Sequence, residues 1–335
     1  MPTTDLDGAV ARQTVTHAAV GVIQGPDGRV LLTERPIGKP WSGYWEFPGG
    51  KIELNESPEQ ALKRELQEEL GITVTGAYPW LTRRFSYPAT DQANGQLAAP
   101  AKTVCLHFFV VHAWLGEPSG LEKQALSWQS PAALSVSPML PANAPIVHAL
   151  NLPRLYAISN LAELGEEDFF KRLQRALDNG LTLLQLREKQ LPEKDFRDFF
   201  ERVMRMAAPY SAKVLLNSHG PYAVGTLPAD GVHYTAHDLW QLSTKPSGML
   251  CGASCHNAQE LAKAAQLGLD YVLLSPLLST ASHPNAPSLG WTEFGRLIAD
   301  YPLPVYALGG MQTSDLSQAR AHGAHGLAML RAMWI

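Results

Sequence analysis

Three glutamates stand close together in this 335-residue chain, and their spacing suits metal chemistry. Glu65, Glu68 and Glu69 fall at positions i, i+3 and i+4, so on a helix their carboxylates share one face. Hard oxygen ligands at this density suit Mg²⁺ or Mn²⁺, which can bridge phosphate oxygens and lower the pKa of an attacking water. Taken alone, the cluster is also typical of a solvated acidic helix face.

The surrounding sequence predicts a helix from about Pro58 to Leu70 that would carry these glutamates. Ser57 can be its N-cap, Pro58 occupies the first helical position and Gln60 completes a capping box. Gly71 supplies the C-terminal stop. The stripe expected to face the core is Leu62, Leu66 and Leu70.

Strands are predicted on both sides of this helix. Ala18–Ile23 and Arg29–Thr33 flank the turn-forming cluster Gly25-Pro26-Asp27-Gly28, which predicts a hairpin in an antiparallel sheet. Trp80–Tyr87 and Thr103–Trp114 predict two more strands. The polar, alanine-rich insert 89–101 between them is predicted to be a mobile surface loop.

The wider spacing around the glutamates matches the Nudix box at every defined position. The matching residues are Gly50, Glu56, Arg64, Glu65, Leu66, Glu68, Glu69, Gly71 and Ile72. The N-terminal half therefore resembles the Nudix hydrolase family. This resemblance implies an α/β/α sandwich with a mixed sheet, and metal-dependent cleavage of a nucleoside diphosphate linked to another group.

Two segments, WEFPGGKIE at 45–53 and RELQEE at 64–69, resemble the MutT branch of that family, which hydrolyses 8-oxo-dGTP. This resemblance extends to about residue 150. It implies metal ligands at the Gly49 carbonyl, Glu65, Glu68, Glu69 and a downstream Glu122. It implies substrate contacts at Arg35, Glu46, Phe47, Pro48, Gly49 and Asn143.

The residue types at the implied substrate site agree with nucleotide binding. An arginine such as Arg35 suits a phosphate or a purine acceptor, and the Asn143 amide can donate to and accept from a purine edge. A local loop turn is an alternative for Asn143, and a core position is an alternative for Phe47.

The resemblance also implies a mechanism. Water would attack a phosphorus of the triphosphate and release 8-oxo-dGMP and pyrophosphate. Glu65 would be the base or would orient the water, while Glu68 and Glu69 would principally bind metal.

The second half of the chain has a different sequence pattern, in which short apolar segments predicted to be strands alternate with predicted helices. The predicted strands are 155–158, 181–186, 213–216, 231–234, 249–253, 271–274, 305–308 and 326–330. Helices at 166–179, 193–208 and 258–267 lie between several of them. This order is the signature of a TIM (β/α)₈ barrel. Several prolines precede this change of pattern and predict a domain boundary near 148–153. We therefore expect one domain at 1–150 and a second at 151–335.

Polar and glycine-rich residues follow several of these strands, where barrel active sites form and loops bind phosphate. Residues 153–335 resemble the thiamine phosphate synthase/TenI family. That resemblance implies contacts of Gln185, Arg187 and Lys189 with a pyrimidine diphosphate, and a thiazole phosphate loop at Gly309-Gly310.

The chain departs from the synthase pattern at three positions. Asn217-Ser218 stands where the synthase has Asn-Asp, Asp238 lacks its usual glutamine two residues before, and 280–283 lacks the diphosphate-binding lysine. Losing a carboxylate and an ammonium argues against expulsion of diphosphate. A tautomerase needs only proton transfer, for which His256 could be the acid or base. A structural role for His256 is the alternative.

Composition narrows the setting. A charged content of 17% and a net charge of -4 describe an ordinary globular protein without a basic field, so we expect a small-molecule nucleotide and no nucleic-acid polymer. The three cysteines lack a zinc-type C-x-x-C pair and predict reduced thiols. The stretch up to Thr16 has no signal-like apolar core and no run of about 18 apolar residues occurs, so we expect a cytoplasmic protein without a membrane partner.

Three functional hypotheses follow. The first is an 8-oxo-dGTP pyrophosphohydrolase with a TenI-like second domain. The second keeps the Nudix chemistry but changes the substrate to a thiamine-related or other diphosphate. The third treats the barrel as a noncatalytic phosphate-ligand sensor or scaffold that regulates or stabilises the N-terminal domain, with thiazole phosphate or a thiamine-related compound as its ligand.

Overall fold

The computed structural model describes residues 15–89, 101–222, 225–279 and 287–335. The insert predicted at 89–101 lies outside the described residues apart from its two end residues. The segment 280–283 and most of the stretch up to Thr16 also lie outside them.

The N-terminal half contains two small sheets. Its elements are β1 (Thr16–Ile23), β2 (Val30–Glu34), β3 (Trp45–Glu46), β4 (Gly49–Lys51), α1 (Pro58–Leu70), β5 (Thr73–Tyr87), β6 (Lys102–Leu115), β7 (Leu126–Gln129) and α2 (Ala144–Leu150). The larger sheet has the order β4-β1-β6-β5. It is mixed, because β1 pairs with β6 in parallel and with β4 antiparallel.

The predicted hairpin between the first two strands is wrong. Gly25 and Arg29 do close a turn, with the amide of Gly25 donating to the carbonyl of Arg29 at 2.9 Å. Beyond it, only the bridge between Gln24 and Val30 joins the two described strands. β2 enters the second sheet, ordered β3-β2-β7, because β1 is already flanked by β4 and β6.

Helices cover both faces of the larger sheet. The predicted stripe of α1 is buried, and Leu62 and Leu66 pack in one core with Ile23. Ile146 of α2 packs in a second core on the opposite face with Val22. This arrangement confirms the predicted α/β/α sandwich.

The C-terminal half is a closed parallel barrel. Its strands are β8 (Leu155–Ile158), β9 (Leu183–Leu186), β10 (Lys213–Asn217), β11 (Gly231–Tyr234), β12 (Leu250–Cys255), β13 (Tyr271–Leu274), β14 (Val305–Leu308) and β15 (Gly326–Met329). Its helices are α3 (Leu161–Leu164), α4 (Glu166–Asp178), α5 (Glu193–Ala207), α6 (Ala236–Gln241), α7 (Ala258–Leu267), α8 (Gly290–Ile298) and α9 (Leu316–Ala321). The order β10-β11-β12-β13-β14-β15-β8-β9 closes on itself, which confirms the eight-stranded barrel.

The two halves meet at the N-terminal ends of the barrel strands. The Trp80 ring of β5 stacks on His325, which precedes β15, with ring centroids 5.8 Å apart. Arg154, which precedes β8, lies over the same indole ring. At the edge of this contact, His148 of α2 pairs with Asp270, which precedes β13, at 3.1 Å. The N-terminal half therefore covers the bottom of the barrel.

Backbone hydrogen bonds reinforce this contact beside β14. The amide of Thr82 donates to the carbonyl of Tyr301 at 3.1 Å. The guanidinium of Arg83 donates to the carbonyl of Pro302 at 2.9 Å. These bonds tie β5, the edge strand of its sheet, to the barrel.

None of the helices in the described ranges is both long and apolar enough to cross a membrane. The cysteines Cys105, Cys251 and Cys255 are buried and free, as the sequence predicts.

Candidate active sites

The glutamate-bearing helix α1 is fixed at both ends by the predicted caps. The Ser57 hydroxyl accepts from the Gln60 amide at 3.2 Å, and the Gln60 side chain accepts from the Ser57 amide at 2.8 Å. Gly71 ends the helix in a left-handed conformation with φ of 71°. Since the apolar stripe points into the core, the carboxylates face the loop before the helix.

Two glycines let this loop approach the carboxylates. The Gly49 amide donates to Glu69 at 3.1 Å, and Gly49 has a φ of 142°. A Cβ on Gly49 would lie 2.2 Å from the carbonyl oxygen of Ala19, and a Cβ on Gly50 would lie 2.2 Å from the Glu65 carboxylate. No side chain larger than hydrogen fits at either position without displacing its neighbours.

Arg64 organises the acidic side chains around it. Its guanidinium bonds both oxygens of Glu56 at 2.9 Å. It also bonds Glu65 at 2.8 Å and the largely exposed Glu68 at 3.2 Å. The carbonyl of Lys51 accepts a further bond from Arg64. One cation therefore holds three carboxylates and the loop, and Arg64 is a positioning residue.

Glu69 lies at the centre of the acidic group. Its burial, followed by the negative charges of Glu46, Glu65 and Glu122, raises the pKa of the Glu69 carboxyl to about 8. The segment with Glu122 is held against the end of α1, since the Gln124 side chain donates to the Glu69 carbonyl at 2.9 Å. The fold thus gathers carboxylates whose mutual repulsion a cation would relieve.

Four of the residues predicted to contact a nucleotide, namely Arg35, Glu46, Phe47 and Pro48, are held by neighbouring residues. Arg35 donates to Glu46 at 2.5 Å and to the Pro40 carbonyl at 2.8 Å. Phe47 is 2% exposed and contacts Phe108 edge to face, and Pro48 is buried beside it. These side chains are thus tied into the N-terminal fold.

Asn143 differs from the other predicted contact residues because part of its side chain has no partner. The residue is 4% exposed, yet its Nδ2 makes no hydrogen bond within the described part of the chain. A buried amide N–H without an acceptor is costly. A ligand with an acceptor would satisfy it.

The barrel has a cavity of about 790 Å³ at the C-terminal ends of its strands. All six residues that the sequence singled out in this half line it, namely Gln185, Arg187, Lys189, His256, Gly309 and Gly310. The sequence analysis missed several polar lining residues. These are Thr235, His237, Ser254, Ser275 and Gln312. Among these residues Ser254 had a signal in the sequence, because it lies two residues before His256.

Two side chains of this cavity have unused hydrogen-bonding capacity. The Gln185 Nε2 is buried without a partner in the described residues. His256 Nδ1 lies 2.8 Å from the Ser275 carbonyl oxygen. Because a carbonyl only accepts, this nitrogen carries the proton in the neutral ring and Nε2 keeps its lone pair. His256 can therefore accept a proton at Nε2.

Asp238, the carboxylate that the barrel keeps from the synthase pattern, accepts hydrogen bonds from two neighbouring hydroxyls. The Ser218 hydroxyl donates to Asp238 at 2.5 Å, and the Thr235 hydroxyl donates to it at 2.9 Å. Although burial opposes ionisation, these two bonds lower the pKa of Asp238. A hydroxyl at 218 thus contacts Asp238 where the synthase pattern has a second carboxylate.

Comparison with known proteins assigns both halves. The model of the NUDIX domain matches residues 15–150, and the model of thiamine monophosphate synthase matches residues 155–333. The chain belongs to the Nudix and thiamine monophosphate synthase families.

Relatives of each half match over nearly their whole length. An 8-oxo-dGTP diphosphatase of Haemophilus influenzae is 38% identical over 136 residues, covering 41% of this chain and 91% of the relative. The 8-oxo-dGTP diphosphatase of Escherichia coli is 37% identical, covering 39% and 93%. A putative thiamine-phosphate synthase of Aquifex aeolicus is 32% identical over 186 residues, covering 53% and 96%.

The N-terminal half is therefore a Nudix pyrophosphohydrolase domain, and Nudix hydrolases generally use a divalent metal. The donors that this Nudix domain presents fit such an ion, because carboxylates crowd around Glu69 while Arg64 neutralises only part of their charge. Glu122 pairs with Lys39 at 2.5 Å on the surface, so metal binding there would compete with an ion pair.

Proposed function

We propose that this chain hydrolyses 8-oxo-dGTP to 8-oxo-dGMP and pyrophosphate with Mg²⁺ or Mn²⁺. The observation that carries the proposal is the carboxylate group around Glu69, which a loop with glycines at 49 and 50 approaches closely. The 8-oxo-dGTP diphosphatases of two bacteria, similar over the whole Nudix domain, support the substrate.

In this proposal Glu65, Glu68, Glu69 and Glu122, with the Gly49 carbonyl, would hold the metal, and the bound ion would supply charge neutralisation and a more acidic water. Glu65 accepts the proton of the attacking water while a new P–O bond forms. The bond to the pyrophosphate oxygen then breaks. Arg64 keeps Glu65 oriented through the 2.8 Å hydrogen bond.

Nucleotide recognition is assigned to the remaining predicted residues. The free Nδ2 of Asn143 donates to an acceptor on the purine edge. The Arg35–Glu46 pair, with Phe47, Pro48 and Gly49, forms the rest of the substrate site. The division into domains 1–150 and 151–335 is part of the same proposal.

The test is release of pyrophosphate from 8-oxo-dGTP, dGTP and thiamine diphosphate, with Mg²⁺ and with Mn²⁺. We expect a preference for 8-oxo-dGTP and a loss of at least about 100-fold in kcat for Glu69→Gln, because a neutral amide stabilises the metal less. Glu59→Gln is the matched control, since Glu59 lies on the same helix, outside the site, and pairs with Lys63.

Each outcome of this assay decides between hypotheses. Glu69-dependent hydrolysis of thiamine diphosphate with no turnover of 8-oxo-dGTP would show that 8-oxo-dGTP is not the substrate. It would favour a role in a thiamine-related pathway. Equal activity in Glu69→Gln and wild type would show that the carboxylates around Glu69 are not the catalytic site.

A second proposal concerns the barrel. We infer that it binds thiazole phosphate and catalyses a proton transfer within that ligand. The free Gln185 Nε2 and the Nε2 lone pair of His256 favour a ligand in the cavity. Gly309 and Gly310 have φ of 111° and 71° and line the same cavity, as a phosphate loop requires. The Ser218–Asp238 bond argues against metal-dependent diphosphate release.

Calorimetric titration with thiazole phosphate tests this second proposal. We expect saturable binding that Gly310→Val abolishes, because a side chain there would fill the loop, and proton transfer that His256→Gln abolishes. Binding without turnover, accompanied by changed hydrolase kinetics, would support a sensor instead. Absence of binding would exclude both roles.

A further inference from the structure

Two histidines and a cysteine meet on one face of the larger Nudix sheet, away from both candidate active sites. Cys105 and His107 are two residues apart on β6, and their face also carries Phe109, which packs against α1. His17 pairs with Cys105 in the parallel register of β1 and β6. Three side chains with metal-binding atoms are thus brought together from strands almost ninety residues apart.

Their ligand atoms already lie at short separations. One nitrogen of each histidine and the Cys105 sulfur lie within 4.8 Å of one another. Nδ1 of His17 is 3.1 Å from Nε2 of His107. A tetrahedral cation with bonds of about 2.0 Å to nitrogen and 2.3 Å to sulfur has ligands at comparable separations.

The other nitrogen of His107 supplies independent support. Its Nδ1 lies 3.4 Å from the Thr82 hydroxyl and 3.9 Å from a carboxylate oxygen of Asp300, a residue of the barrel domain. A histidine that binds metal usually donates its second N–H to a carboxylate, which fixes the ring. His107 therefore points Nε2 at the cluster and Nδ1 at a group able to orient it.

Ionisation of the cluster suits a borderline-soft cation. Burial lowers the pKa of His107, although the charge of Asp300 opposes this shift, and His17 makes a smaller lowering contribution. Burial raises the pKa of the Cys105 thiol, while the neighbouring Arg84 favours its thiolate. A metal would displace the thiol proton and neutralise the buried thiolate.

We propose that His17, Cys105 and His107 bind Zn²⁺ or a similar divalent cation, with a water in the fourth position. His17 Nδ1, Cys105 Sγ and His107 Nε2 are the ligand atoms. Asp300 is a positioning residue that reaches His107 from the other domain. The nitrogen and sulfur donors distinguish this site from the all-oxygen group around Glu69, which suits harder ions.

The site would also affect how the domains are joined. Ordering of His107 by metal strengthens its contact with Asp300, and the adjacent Thr82 and Arg83 already bond to the barrel. Zn²⁺ should therefore stabilise the contact between β5 and the barrel, by an amount set by its concentration relative to Kd.

Titration of the full chain with Co²⁺ tests the proposal, because a cobalt–thiolate bond gives a charge-transfer absorption and tetrahedral cobalt gives strong visible bands. Oxygen ligands around Glu69 produce neither, so the two sites are distinguished in one spectrum. We expect saturable thiolate absorption, reversed by Zn²⁺. Asp300→Asn should lower the Zn²⁺ affinity about 10- to 100-fold.

Variants assign the absorption to residues. Cys105→Ser should abolish it, while Cys255→Ala, which changes another buried thiol, should leave it unchanged. Should Cys105→Ser fail to fold, His17→Gln at an exposed position weakens binding without disturbing the core. No thiolate absorption at saturating Co²⁺, or absorption that survives Cys105→Ser, would overturn the proposal.

Discussion

At the scale of single residues, Asn143 is a buried side chain whose amide would be satisfied by a ligand. Its buried Nδ2 has no partner in the described residues, so the cost of desolvation is met only when an acceptor arrives. Sites built to hydrogen-bond one substrate group discriminate strongly against analogues that lack it.

We therefore expect Asn143→Ala to lower kcat/KM for 8-oxo-dGTP by about 10- to 100-fold, which corresponds to about 1.4–3 kcal/mol. Preference over dGTP should fall as well, as steady-state kinetics with both nucleotides would show. Asn151→Ala is the control, because that amide donates only to the carbonyls of Pro131 and Val147. An unchanged preference would assign Asn143 to the alternative role in a local turn.

At the scale of elements, the approach of the glycine loop to α1 sets the geometry of the Nudix site. Gly50→Ala would place a methyl group 2.2 Å from the Glu65 carboxylate. Because displacement of a catalytic group by about 1 Å can cost about 100-fold in rate, we expect kcat to fall by that order while the chain stays folded.

The matched control is Gly295→Ala in α8, where a Cβ would meet nothing closer than 3.7 Å. Circular dichroism of both variants, beside pyrophosphate release, separates misfolding from misplacement. Wild-type kcat in a folded Gly50→Ala chain would show that the position of Glu65 does not limit the reaction.

Elements with strong local signals could be predicted from the sequence. Helix α1 has a capping box, an apolar stripe and a terminal glycine, and it forms over the predicted residues. The eight barrel strands are short apolar runs, several of them separated by predicted helices, and they form within a few residues of their predicted bounds.

Features that depend on pairing between distant segments could not be predicted. The hairpin prediction was wrong because turn residues do not reveal that β6, some 80 residues later, pairs with β1. The proximity of His17, Cys105 and His107 could not be predicted for the same reason. The free Nδ2 of Asn143 and the Ser218–Asp238 bond likewise depend on tertiary neighbours.

At the scale of the whole molecule, two buried histidines make stability depend on pH. His325 donates from Nε2 to the Leu152 carbonyl at 2.9 Å and accepts at Nδ1 from Arg154 at 2.9 Å. Burial, with the charge of Arg154, holds the pKa of His325 well below its usual value. Burial also lowers the pKa of His233 to about 3.

Both histidines are neutral in the folded state, whereas in the unfolded chain they bind protons below about pH 6.5. Stability should therefore be lost as pH falls below 6.5, with a slope approaching about 1.4 kcal/mol per pH unit for each histidine. Urea unfolding between pH 7 and pH 5 measures this slope.

His325→Gln keeps a donor and an acceptor at the domain contact but cannot take up the proton. The variant should therefore lower the slope by about 1.4 kcal/mol per pH unit, the contribution expected of one histidine. A wild-type slope in His325→Gln would mean that His325 does not titrate on unfolding.

The position of the Nudix domain at the N-terminal ends of the barrel strands also affects how a small molecule could pass between the two candidate sites. Arg154, Asp270 and His325, which contact the Nudix domain, precede their strands, whereas Gln185, His256 and Gly309 lie at or beyond the far ends of theirs. Within the described residues the barrel cavity thus opens at the end opposite the Nudix domain, and we expect a molecule released by one half to reach the other through bulk solvent. The fusion therefore fixes the ratio of the two domains at one to one, and the described residues form no channel between their candidate sites.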